Sequence, residues 1–124
     1  MPEISTTNAN TTTVSLQCCI DSCLQCYRTC LSMATNMCLA EGGRHAGSAH
    51  ISLMLGCAEI CRTAAHFMIM KSRLHQKICA ACADVCEACA VSCQQIGDMG
   101  ECVEICRHCA DNCRRMALGI SVEL

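Results

Sequence analysis

The chain of 124 residues has a single proline, at position 2, no tryptophan, one tyrosine and one phenylalanine. Leu, Ile, Val and Phe together number only 24, so a core built from these alone would be poor. Charge is also sparse and nearly balanced, with a formal net of −2 and a pI near 6.2, and this gives no reason to expect nucleic acid or an anionic membrane as partner. No stretch approaches the roughly 18 unbroken apolar residues of a membrane span. The opening MPEISTTNANTTTVSL lacks the basic and apolar regions of a secretory signal, so the expected location is the cytoplasm, where thiols stay reduced. The length suits one domain with a real core.

Cysteine is abundant instead, at 17 residues, and fifteen alanines accompany it. Cys19, Cys23, Cys26 and Cys30 follow a spacing of four, three and four, as do Cys102, Cys106, Cys109 and Cys113, while Cys79, Cys82, Cys86, Cys89 and Cys93 alternate three and four. Cys57 and Cys61 add one further step of four. This is the repeat that helix bundles fill with Leu and Ile at their buried positions. The cysteines lie among Ala, Glu, Gln and Leu without the Gly or Pro that flank the C-x-x-C of a zinc ribbon or redox loop. An odd count also sits badly with a closed disulfide framework, and helical spacing directs Cβ atoms poorly for bridging.

The periodicity predicts helices over about 14–40, 49–73, 76–95 and 99–118, forming a bundle over 13–119, with Cys18 and Cys38 off the seam centre as further candidate metal ligands equally suited to packing. Thr- and Asn-rich residues 1–12 are expected as a disordered tail, and 120–124 as a C-terminal tail. Ser48 is the expected N-cap, Asp98 and Glu101 a capping box, and Gly119 a C-cap. The seam of the second helix would run His50, Met54, Cys57, Cys61, Ala64, Met68, Lys71 and His75. Ile51, Leu55, Ala58 and Ile69 form an extra apolar stripe that suggests an oligomer interface. Short connections favour an all-α, antiparallel up-down-up-down four-helix bundle with a Cys-lined core.

Thiolates three and four residues apart on a helix converge on a small ion between them. As soft ligands they suit Cu(I), Zn or iron–sulfur clusters. Several zinc tetrathiolates, each with a net charge of about −2, would bury uncompensated charge, since Lys71 is the only basic residue on any seam. One Cu(I) per thiolate leaves the core neutral, and its two or three ligands match a ladder of pairs. No cysteine precedes proline as in bacterial ferredoxins. Cu(I) therefore fits best. Met33, Met37, His50, Met54 and Met99 continue the seams toward one end, where thioether and imidazole would serve as weaker ligands at a mouth. Met68, His75 and Met116 would lie at the other end, and His66 and His108 would face solvent.

The repeated Cys-rich helices over about 14–118 resemble the copper storage proteins, cytosolic branch. That resemblance implies a homotetramer of bundles, copper loading at one open end lined by His and Met, and no catalytic chemistry. The expected function is storage of multiple Cu(I) ions by Cys19, Cys23, Cys26, Cys30, Cys57, Cys61, Cys79, Cys82, Cys86, Cys89, Cys93, Cys102, Cys106, Cys109 and Cys113. A general Zn or Cd thiolate buffer and a thiol-redox protein are the alternatives.

Overall fold

The structure is a computed structural model that describes residues 2–122, with side chains described from Ser15 onward. Helix α1 spans Pro2–Ser32 and continues through a π-helical segment, Met33–Cys38, into a last turn at Leu39–Glu41. A 3₁₀ turn, Gly43–Ala46, leads to α2 at Ser48–Ile69, then α3 at His75–Ile96 and α4 at Gly100–Leu118. There is no strand among the described residues. Each helix packs on its neighbours in sequence, and α1 closes the ring against α4. The short connections make those neighbours antiparallel, so the described residues form the four-helix bundle expected from the periodicity.

The bundle's interior is made of small side chains. Every cysteine except Cys18 is buried, and Ala34, Ala64, Ala65, Ala83 and Ala90 flank the thiols. Small residues at the seams let helices approach closely, which brings sulfurs from different helices into contact. The larger apolar residues Leu24, Tyr27, Ile60, Ile78, Val85 and Ile105 pack partly buried around this centre.

Several details differ from the sequence-based expectation. The α1 backbone is helical from Pro2, ahead of the expected start near Val14. Proline suits a first helical turn because its missing N–H would have no partner there. The side chains of 2–14 lie outside the described residues, so the packing of the expected tail 1–12 does too. At the other end the expected tail turns back as far as Val122, which is buried and donates its N–H to Ser15 Oγ at 3.2 Å. Residues 123–124 are outside the described set.

Helix α2 ends earlier than expected, because Lys71 takes a left-handed conformation at φ 55°. The N–H of Lys71 bonds the carbonyl of Met68, and that of Ser72 the carbonyl of Phe67, which is the Schellman pattern of a helix end. Lys71 is therefore exposed and leaves the seam. Ser48 is the first helical residue, with Gly47 at the cap position, and Asp98 at φ 57° places Met99 rather than itself at the start of α4. Neither helix start has a side-chain cap. Gly119 does cap α4 in the left-handed conformation. Of the expected outer stripe on α2, Ala58 is buried, whereas Leu55 and Ile69 are exposed.

Candidate metal centre

The sulfurs form one connected array along the bundle axis. At one end Cys113 Sγ lies 3.9 Å from Cys19 and 3.4 Å from Cys23, and Cys79 completes a trio with Cys19 and Cys113 within 4.8 Å. Cys109 links Cys23 at 3.7 Å to Cys61 at 3.8 Å. Cys61 in turn meets Cys86 at 3.4 Å and Cys82 at 3.7 Å. From Cys86 the path runs to Cys57 at 3.7 Å and on to Cys26 and Cys30, both at 3.9 Å. Cys30 reaches Cys106 at 3.5 Å and Cys102 at 3.9 Å, and Cys102 reaches Cys93 at 3.6 Å, with Cys89 beside them. The structure thus brings the fifteen seam cysteines together, and all are 0 % exposed.

Beyond Cys102 the ligand chemistry changes. Cys38 Sγ lies 3.7 Å from His50 Nε2, 3.8 Å from Met54 Sδ and 3.9 Å from Met99 Sδ. Cys38 is off the seam on an α-helical wheel, because eight residues after Cys30 an α-helix has overshot two turns by about 80°. The wider turns of the π segment take back most of that overshoot and aim Cys38 inward. Met33 and Met37, in the same segment, pack half-buried against the core's flank, while Met54 and Met99 supply the thioethers next to Cys38. Cys18 is half-buried on the bundle's side.

Two features of this cluster have no signal in the spacing of the chain. Ser92 Oγ lies 2.8 Å from His50 Nδ1 and holds the ring with Nε2 toward Cys38. The loop before α2 is tied across to the α3–α4 connection, with Arg44 donating to the Gln95 carbonyl at 2.6 Å and His45 Nε2 lying 3.3 Å from the Gly97 carbonyl. The partners are 42, 51 and 52 residues apart along the chain, so only folding reveals them. His66 and His108 are exposed, and His108 Nε2 lies 3.3 Å from the buried Asn112 amide.

Electrostatics favour a monovalent soft cation. No Lys or Arg shares the buried interior among the described residues, now that Lys71 has left the seam. Protons in the array are shared between sulfurs. Cys57 is held far below the usual thiol value by S–H donors, Cys106 foremost and then Cys26, whereas Cys61 is pushed far above it, with Cys109 its leading partner. The same division, again led by Cys109, places Cys82 below and Cys113 above. A proton lost from one thiol is compensated by neighbouring donors, and the next is harder to remove unless a cation arrives. At the mixed cluster, burial raises the Cys38 thiol, with charge interactions from the direction of Cys102 and Cys89 adding to it. Burial lowers His50, which keeps the imidazole neutral and able to ligate.

Four groups of four cysteines place their sulfurs within 4.8 Å of one another, and each group shares two members with at least one other. Shared sulfurs suit ions bridged by common thiolates better than isolated tetrahedral centres.

Comparison with known proteins agrees with this chemistry. The sequence pattern of the family described as copper storage protein matches residues 12–118. An uncharacterized cysteine-rich protein, YhjQ, of Bacillus subtilis strain 168 is 41% identical over 75 residues, which is 60% of this chain and 68% of that one. The crystal structure of the Nmul_A1745 protein from Nitrosospira multiformis is 54% identical and superposes with a TM-score of 0.83, covering 84% of this chain and 95% of that one. The Cu(I)-bound copper storage protein BsCsp3 follows at 38% identity and a TM-score of 0.76, covering 83% and 98%. The apo form of copper storage protein 3 from Bacillus subtilis gives 36% and 0.74, covering 82% and 97%. A buried column of thiols without a counter-cation, on a bundle superposable with these structures, places the chain in the copper storage protein family.

Proposed function

We propose that the chain stores multiple Cu(I) ions on the thiolates of its fifteen core cysteines, with Cys38, His50, Met54 and Met99 forming the mouth where ions are received. The observation that carries this reading is the unbroken succession of Sγ neighbours at 3.4–4.0 Å through a cation-free interior. Each Cu(I) that binds displaces one thiol proton to water, so the core stays neutral however many ions it takes up. Thioether and imidazole bind Cu(I) more weakly than thiolate, which suits a site that passes ions inward. Capacity is then of the order of one ion per core cysteine, roughly 15. The protein acts as a reservoir rather than a catalyst, works in the cytoplasm where thiols stay reduced, and assembles as a homotetramer, as the family resemblance implies. No described helix is long and apolar enough to cross a membrane.

The test is an anaerobic titration of the reduced protein with Cu(I) against a competing chelator. About 15 tightly held ions per chain are expected, and saturation at one or two would refute storage. A divalent buffer has one observation in its favour. The quartets Cys23/Cys82/Cys109/Cys113 and Cys26/Cys30/Cys57/Cys106 share no member, so two tetrathiolate sites fit at once. Each would carry about −2 in a core without cations, which favours Cu(I) over Zn or Cd. The same titration run with Zn(II) should show weaker binding of a few ions.

A further inference from the structure

The thiol array ends, away from the Cys38 cluster, at Cys19, Cys79 and Cys113. One helical turn farther out on the same three helices stand Ser15, His75 and Met116. These three line a pocket of about 200 Å³, with Gln76, Gly119, Ile120 and Ser121 forming the rest of its wall. The pocket therefore continues the column of the core by one layer, and its soft donors are a thioether and an imidazole.

Local bonds set this layer in place. His75 Nδ1 lies 2.8 Å from the Ser72 carbonyl, which can only accept, so Nδ1 carries the proton and Nε2 keeps its lone pair. Gln76 Nε2 donates to the Met116 carbonyl at 3.4 Å and ties the starts of α3 and the C-terminal turn together. Met116 is 8 % exposed, which leaves its side chain against the core while it still lines the pocket.

We propose that this pocket is a second Cu(I) port, where His75 Nε2 and Met116 Sδ exchange an ion with the Cys19/Cys79/Cys113 trio. The proposal rests on the storage reading above and adds a second end to it. In the inward direction Cu–N and Cu–S(thioether) bonds break as Cu–S(thiolate) bonds form, and the displaced thiol proton leaves to water through the pocket. Copper remains Cu(I) throughout, so no oxidant or reductant is needed. A column open at both ends releases ions from both, whereas a column open only at Cys38 would return the last ion first.

The test uses reduced full-length protein with isotope-labelled histidine, titrated anaerobically with Cu(I) and followed by NMR. The His75 ring resonances, assigned through His75→Gln, are expected to shift during loading. In parallel, the double substitution His75→Leu with Met116→Leu should slow chelator-driven removal of Cu(I) severalfold, while the apo variant keeps the helical circular dichroism spectrum of the wild type. Met116→Leu nearly conserves volume, and the wild-type NMR measurement does not depend on either variant folding. Silent His75 resonances through full loading, or wild-type removal rates in the double variant, would overturn the port and leave storage standing. Saturation of the wild type at one or two ions would overturn both.

Discussion

Burial moves Cys38 and His50 in opposite directions, and the two shifts make separate predictions. Because the Cys38 thiol is raised, it competes with copper for a proton more strongly than an ordinary thiol does. Its partners at the mouth are thioethers and an imidazole, weaker than the bridging thiolates of the array, so the mouth ion should be the first released as pH falls, seen as loss of about one equivalent before the array empties. Cys38→Ser should remove that early step. For His50 the folded value lies below the ordinary 6.5, so below pH 6.5 the unfolded chain takes up a proton that the folded one resists. The apo protein should lose stability as pH drops from 6.5, and His50→Gln should flatten that part of a urea midpoint-versus-pH curve. Ser92→Ala, which frees the His50 ring, should weaken the mouth site about tenfold without changing array capacity. Equal affinity in the variant would show that the 2.8 Å contact does not orient the ring.

The helix ends offer a matched comparison at the level of elements. Helices α2 and α4 both finish in a Schellman turn, but Lys71 occupies the left-handed position in the first and Gly119 in the second. A side chain there costs roughly 1 kcal/mol through crowding of Cβ against the backbone. Lys71→Gly should therefore stabilise the apo protein by about 1 kcal/mol, and Gly119→Ala should destabilise it by a similar amount. Denaturant unfolding checks both, and the same sign for the two variants would rule out this account. The π segment is the other element with consequences. Its position was invisible to a 100° wheel, which is why the Cys19–Cys30 seam was legible in the sequence and the inward aim of Cys38 was not.

For the whole molecule, the Ala and aliphatic flanks pack the helices independently of any ion, so the reduced apo protein should already show a helical circular dichroism spectrum. A coil spectrum that becomes helical only on adding Cu(I) would contradict the bundle as a preformed container. Copper held more tightly by the converging thiols of the bundle than by those of the unfolded chain should also raise the melting temperature progressively with loading. At this scale the sequence was most informative. The four-helix bundle and its fifteen-sulfur column follow from spacing alone, because a bundle's core is a local repeat written along each helix. Helix ends were less legible, as the early stop at Lys71 and the absent cap at Asp98 show. Their backbone conformations depend on how neighbouring helices meet.

The amino-acid sequence by itself determined the chemistry of this protein, since thiol spacing and the lack of buried cations already select a soft monovalent metal. Tertiary structure decided which side chains complete the two ends of the column. Cys38 joins Met54, Met99 and a Ser92-held His50 at one end, and His75 joins Met116 at the other. Those groupings bring together different helices and one irregular turn, and no periodicity within a single helix encodes the distance between them.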